Sequence, residues 1–381
     1  MTKRIVFLPQ NETHAASLRL VVPPLAATGA SVRVAQLDGI FHQNLQLTDL
    51  STCAEVRTID VISEKPFYRM APWQQIRTLA RARSWITEVV EDASDVVAFN
   101  DGAVQRLAYA RAKRTRARTW LLLDGMISDY RAHGSLGLRN AMRMLGRVTR
   151  NNPISLVLPS EVGTAPVDEI LTIGEHSAEL LRRRNPTSRV SAVGLPRWPT
   201  RSSRSRPQSV RRVLYLTGAF RWHAMSALAD AQVRDVEAVQ AVCRSLGLDL
   251  IVRLHPRDEA SDYVRIEPHL SVDTATAMSD SILASDLVLS MVSTGLLEAI
   301  SLGKVARTVA IHAEWSILER SFVAEPAFHA LVDRDSLGNE LKRLRSRISS
   351  ADYAEQQAIL PYFVAAAGPA ATEAIVARLA A

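Results

Sequence analysis

Cysteine is nearly absent. The 381-residue chain has two, Cys53 and Cys243. They stand far apart, so neither a disulfide framework nor a closely spaced cysteine metal site is written into the sequence. A reducing, cytoplasmic setting is expected. Long apolar runs are lacking as well. No stretch approaches the roughly 18 apolar residues of a spanning helix, and the opening MTKRIVFLPQ holds no apolar region long enough for a signal peptide. A peripheral seat on the inner face of a membrane stays compatible with this. Aromatic residues make up 6%, and none interrupts the basic runs RAKRTRAR (from Arg111) and RSSRSRPQSVRR (from Arg201). Those runs therefore do not read as a nucleic-acid surface. Internal repeats of about 20–50 residues are missing too, which excludes solenoids and propellers.

What is present is an ordinary globular composition, 47% hydrophobic and 22% charged, long enough for two or three domains. The net charge is +7. That excess fits an arginine-rich solvated surface, or attraction to phosphates, lipid headgroups or polyanionic glycans.

The pattern is α/β. RIVFLP is a short apolar run, followed by a polar loop from Gln10 to His14, a helical stretch from Ala15 to Thr28, and SVRVAQLD, which alternates like a strand. DVVAFND and ARTWLLLDG read as further strands ending in acidic turns, with the helical AVQRLAYARAK between them. SLVLPS, EILTIG and RVSAVGLPR complete a first Rossmann-like domain over residues 1–198. A Ser-, Arg- and Pro-rich linker is expected over 199–212. A second series then runs through RVLYLTG, a helix from Val233 to Leu246, LDLIVRLHP, SDLVLS, the helix STGLLEAISLG and KVARTVAI, giving a second domain over 213–365. Residues 366–381 are expected to form a helix that packs back on the first domain. Two doubly wound halves imply a cleft between them, with ligands at the carboxyl ends of the strands.

Candidate chemistry gathers at those strand ends. Pro256 stops the LDLIVRLHP strand and biases His255 toward extended backbone, so the imidazole projects from the sheet edge with Arg253 and Arg257 beside it. That group suits a phosphate, although a turn histidine with no ligand would look the same. Ser293, Thr294 and Gly295 follow SDLVLS and open a helix. Hydroxyl caps, free amides and the dipole favour phosphate there, and Gly295 permits close approach of a ligand. Glu298, one turn on, is placed to take the hydroxyls of a ribose. Thr217 and Gly218 form a second turn fit to cradle phosphate. In the first half, Asp124 before Gly125 is the candidate general base, Asp101 before Gly102 its rival, and His14 a further candidate on the acceptor side. Asp333 and Asp335 read as a solvated turn or helix cap rather than metal ligands.

VRLHPRD followed by LVLSMVSTGLLEAISLGK resembles the inverting GT-B glycosyltransferases that carry a His-Pro motif and a downstream Ser-Ser/Thr motif. These include bacterial sialyltransferases and polysialyltransferases and capsule-type Kdo transferases. CDP-glycerol glycerophosphotransferases share the architecture. The resemblance implies that His255, Ser293 and Thr294 hold the donor phosphate and that Asp124 is the base. LDGMISDY is similar to the acidic-acidic-glycine motif of the sialyltransferases, with Leu123 in its first acidic position. AVGLPRW adds a Gly-Leu-Pro segment common in GT-B relatives near the domain junction.

The resemblance also implies a GT-B architecture and metal-independent, inverting transfer of a sugar. The donor would be nucleotide-activated, with a CMP-linked ulosonic acid leading. The acceptor would be a glycan or lipid-linked glycan, in surface or capsule polysaccharide synthesis. Three alternatives stay open: a CDP-polyol phosphotransferase, a UDP-sugar 2-epimerase-like enzyme and a non-catalytic GT-B-like binding subunit.

Overall fold

The computed structural model describes residues 2–127, 162–199, 206–221, 225–264, 266, 270–319 and 321–381. The predicted strand SLVLPS and much of the predicted linker lie outside the described residues. The chain divides into two compact units. One holds the residues up to Ile127, the stretch ending at Trp198, and Tyr362–Ala381; the other runs from Pro199 to Pro361.

The first unit is built on seven strands: β1 (Arg4–Leu8), β2 (Ser31–Gln36), β3 (Glu55–Thr58), β4 (Asp95–Ala98), β5 (Arg118–Leu122), β6 (Glu169–Thr172) and β7 (Arg189–Ala192). All are parallel, in the order β3-β2-β1-β4-β5-β6-β7. Because side chains alternate along a strand, each strand feeds two cores. Ile5, Phe7, Val97 and Trp120 face helix α1 (Glu12–Ala27), while Val6, Leu8, Val96 and Leu121 face α2 (Pro72–Val90) and α3 (Ala103–Ala112). Burial of both faces is why these strands read as continuous apolar runs. β3 is an edge strand, Glu-Val-Arg-Thr, with no apolar run to announce it in the sequence.

The second unit holds β8 (Arg212–Leu216), β9 (Asp249–Arg253), β10 (Ser271–Asp273), β11 (Leu287–Ser290) and β12 (Val305–Thr308), parallel and ordered β10-β9-β8-β11-β12. Helix α4 (Glu175–Arg184) belongs to the first unit; α5 (Ser226–Leu246) and α6 (Gly295–Ser301) belong to the second. Gly247 ends α5 in the left-handed region at φ 64°, and Gly303, two residues past α6, has φ 78°. α7 (Arg334–Ser346) starts at Asp333, whose carboxylate accepts the Ser336 amide at 2.6 Å, so that aspartate is a helix cap.

In both sheets the strand order reverses beside the first strand of the unit, between β1 and β4 and between β8 and β11. Ligands of open parallel sheets bind at such switch points.

The chain passes back into the first unit within helix α8 (Ser350–Phe363) and ends in α9 (Pro369–Ala380). α9 packs on α1, with Ile375 and Leu379 fully buried in the same core as Leu18, Val21 and Leu25. The Gly-Leu-Pro segment is where the returning chain seats. The Leu195 amide donates to the Ala366 carbonyl at 2.9 Å, and a Cβ on Gly194 (φ 92°) would run into the Ala366 backbone.

Candidate functional site

At the carboxyl edge of the first sheet, His14 and Asp124 come together. The polar segment after β1 is not a loop as far as His14. Asn11 caps α1, its side chain accepting the His14 amide at 2.9 Å, so the helix begins at Glu12 and His14 sits in its first turn. The imidazole is 2% exposed and stacks on Phe99, with centroids 4.6 Å apart. Its Nδ1 accepts the Gln10 amide at 3.0 Å. The ring proton of the neutral form therefore resides on Nε2, which faces Oδ2 of Asp124 at 3.4 Å. Asp124, two residues beyond β5, is the more accessible partner, its side chain 24% exposed. The backbone of Asp124 is held by Arg197, which donates to its carbonyl at 3.1 Å. His14 thus orients the carboxylate, and the carboxylate is the more exposed of the two groups.

Asp101, the rival base, is committed elsewhere. It is 3% exposed, and its Oδ2 accepts the amides of Thr164 and Ala165 at 3.0 and 2.9 Å. Arg106 lies 3.4 Å away. A buried carboxylate holding two amides and a guanidinium fixes a loop and has no geometry for proton abstraction.

At the carboxyl edge of the second sheet the structure sorts the predicted donor residues into those that face outward and those that are consumed internally. The His255 ring is exposed, and its Nδ1 accepts the Arg257 amide at 3.1 Å, which makes Nε2 the donating nitrogen. The His255 amide is tied to the Thr217 hydroxyl at 2.9 Å, so Thr217, 3% exposed, positions the His255-Pro256 turn. The Gly218 amide, expected to cradle phosphate, donates instead to Gln232 of α5 at 2.6 Å. Arg253 is drawn to the neighbouring strand. It pairs with Asp273 at 3.0 Å, directly across the β9–β10 register. Although desolvation opposes it, Ser281 and the amides of Thr276 and Ala275 hold the Asp273 carboxyl well below the usual range. Arg253 is thus engaged in a sheet-edge ion pair.

Ser293 and Thr294 divide their work. The Ser293 hydroxyl accepts the Gly295 amide at 3.1 Å, which leaves its own O–H to donate. Thr294 stands at the cap position with helical φ −58° and ψ −19°, and its side chain makes no capping bond. The amides of Leu296, Leu297 and Glu298 are turned back on the carbonyls of Ser293 and Thr294 at 3.0–3.2 Å. The first turn of α6 therefore offers hydroxyls rather than a fan of open amides. Gly295 is also closely packed: a Cβ there would overlap the Leu216 side chain at the end of β8, which would have to shift. That is a different reason from the ligand approach expected of it. Glu298 is 4% exposed, so its carboxylate lies inside the unit and not on the helix surface.

Sequence reasoning missed Arg197, and it missed a buried polar pair on α5. Gln232, fully buried, holds Gly218 and donates to Tyr263 at 2.7 Å, whose hydroxyl in turn donates to Asp258 at 2.7 Å, just past the His-Pro turn. One turn along, Asp235, also fully buried, accepts both the backbone amide and Nδ1 of His312, at 2.9 and 2.8 Å. Burial pushes the Asp235 carboxyl up, against the bonds from His312. Two adjacent inner positions of one helix therefore fix the loops after β8, β9 and β12. The available signal was polar residues on the apolar face of a helix; the partners, 14 to 77 positions away, left no local trace.

No protein-family model matches the sequence, and no curated protein sequence matches it. Solved structures do resemble it. A Listeria monocytogenes protein assigned as a UDP-N-acetylglucosamine 2-epimerase superposes with TM-score 0.62 at 14% identity, covering 100% of this chain and 96% of its own. The glycotransferase of kitacinnamycin gives 0.61 at 13%, covering 100% and 99%. UGT89C1 of Arabidopsis thaliana gives 0.60 at 11%, covering the whole of both chains. At such identities the likeness is one of fold, and it assigns this chain the α/β GT-B architecture of two Rossmann-like units.

Proposed function

We propose that the chain is a glycosyltransferase that moves a sugar from a nucleotide-activated donor to an acceptor hydroxyl. The observation that carries this reading is the His14–Asp124 pair at the carboxyl edge of the first sheet. It is a carboxylate with one oriented hydrogen-bond donor behind it and solvent access in front, the arrangement a general base needs. In the second unit, the His255 ring and the Ser293 and Thr294 hydroxyls supply neutral donors for a phosphate. They would bear on the charge that grows on the leaving nucleotide phosphate. With inversion, Asp124 takes the acceptor proton as the acceptor oxygen attacks the anomeric carbon, and the nucleotide leaves with the bonding electrons. The mechanism routes no step through a metal.

The His-Pro resemblance supports a CMP-activated ulosonic acid as donor and a glycan or lipid-linked glycan as acceptor. The UGT89C1 structures with UDP and UDP-L-rhamnose support a uridine nucleotide instead. Thermal-shift measurements with CMP, CDP, UDP and GDP separate these, because a ligand that binds the folded state raises its apparent stability in proportion to the logarithm of its concentration over Kd. Turnover of the responding donor is then compared for wild type, Asp124→Ala and His255→Ala. Equal activity in all three overturns the mechanism. A donor epimerised at C2 in place of a transferred sugar reassigns the chain to the activity attributed to the Listeria protein.

A further inference from the structure

Among the described residues, eight large hydrophobic side chains are exposed, and half of them crowd between positions 62 and 76: Ile62 at 73%, Tyr68 at 39%, Trp73 at 63% and Ile76 at 52%. Isolated exposed apolar side chains are ordinary; a cluster of this kind marks a contact surface. The segment is not loose. Val61, Phe67 and Met70 are buried in the core of the first unit, so the outward direction of Ile62, Tyr68 and Trp73 is fixed by their neighbours. Gln75 ties the start of α2 to the preceding turn by donating to the Phe67 carbonyl at 3.1 Å. Pro72 opens the helix, and Gln74 reaches back to accept the Ala71 amide at 2.9 Å.

The charge around the cluster is mostly positive. From Ile62 through Thr87 the charged residues are one acidic, Glu64, and five basic, Lys65, Arg69, Arg77, Arg81 and Arg83, all exposed. Trp73, Arg77 and Arg81 follow one another at four-residue spacing and share a face of α2. α3 packs on α2. Burial, with the like charges of Arg83 and Arg114, pulls Arg111 below the usual arginine range, so the RAKRTRAR run continues the same positive field. Amphipathic Trp and Tyr side chains settle at the level of lipid headgroups, and basic residues beside them attract anionic lipid. No described helix is long and apolar enough to cross a membrane.

We propose that the segment from Ile62 to Arg83 docks the first unit on an anionic lipid surface. Trp73, Ile76, Tyr68 and Ile62 enter the headgroup region, and Lys65, Arg69, Arg77 and Arg81 pair with lipid phosphates. None of these residues is assigned to sugar transfer, so the surface stands or falls independently of that reading.

The test is sedimentation of the full chain with vesicles of phosphatidylcholine alone and of phosphatidylcholine with phosphatidylglycerol. The expected result is binding to the anionic vesicles only, weakened by added salt. Arg77→Glu/Arg81→Glu should lower the partition coefficient by more than about tenfold, since each basic residue near such a surface contributes roughly fivefold. Trp73→Ser/Ile76→Ser should also release the protein, with unfolding temperatures matching wild type because the side chains are exposed. Wild type that stays in the supernatant with anionic vesicles overturns the proposal, as does equal binding by both double variants. A wild-type dimer that Trp73→Ser/Ile76→Ser turns into a monomer, without vesicle binding by either, gives the surface to a second copy instead.

Discussion

Nε2 of His14 faces Oδ2 of Asp124 across 3.4 Å, while the other ring nitrogen is occupied by the Gln10 amide. A neutral imidazole in this setting has its proton directed at the carboxylate and no lone pair left for an acceptor. Asp124→Asn should therefore lower kcat by about 10²–10⁴-fold with the donor Kd unchanged. His14→Ala should lower kcat less, again with the donor Kd unchanged, because the carboxylate loses the ring that orients it. A kcat for His14→Ala equal to that of wild type would remove the orienting role.

Ser293 and Thr294 should separate stability from binding. Ser293→Ala removes a bond to the Gly295 amide and should cost about 1 kcal/mol in denaturant unfolding, besides weakening donor binding. Thr294→Ala removes no capping bond and should weaken donor binding alone. Calorimetric titration with the responding nucleotide, set beside unfolding curves, distinguishes the two.

Gly295→Ala should destabilise the second unit by about 1–3 kcal/mol, through overlap with the Leu216 side chain. Adding Leu216→Ala should recover part of the loss. If Gly295→Ala keeps wild-type stability and loses only donor affinity, the glycine serves the ligand and not the packing.

Acid should weaken the second unit through Asp352. This carboxylate, 6% exposed, pairs with the fully buried Arg307 at 2.8 Å and with Arg343 at 2.6 Å. Desolvation opposes its charge, but Arg343, Ser349 and Arg307 hold its pKa well below the ordinary value. A depressed carboxyl contributes stability that is complete above the unfolded pKa of about 4 and is lost as the pH falls below it toward the folded value. Wild type should therefore lose stability below about pH 4 more steeply than Asp352→Asn, which should already be less stable at neutral pH. Urea unfolding at several acidic pH values gives both slopes.

The legible parts of this fold are those that arise from local pattern. β1, β8 and β11 were visible because strands buried on both faces are largely apolar, β9 because Leu250 and Val252 share its buried face, and His255-Pro256 stood out because proline ends a ladder. β3 and β10 were not visible, since Glu-Val-Arg-Thr and Ser-Val-Asp each hold a single apolar residue. The sequence did not show that Arg253, Gly218 and Gly295 each meet a residue from another element, Asp273, Gln232 or Leu216. Residue type and spacing announce the chemistry a side chain is capable of. They do not disclose whether the fold has already consumed it. Asp124 and Asp101 look alike in sequence, each an acid before a glycine at a strand end, and only tertiary hydrogen bonds tell them apart.

The seating of α9 against α1 has a bearing on biogenesis. Ile375 and Leu379 fill the core beside Leu18, Val21 and Leu25, yet they are separated from that core by the entire second unit in the order of synthesis. On the ribosome, the first unit would emerge with one hydrophobic face uncovered while the second is still being made. It would finish folding only when the tail arrives. Chaperone dependence during translation, and aggregation of chains halted before Pro369, are the costs expected of an architecture in which the first unit to be made is the last to close.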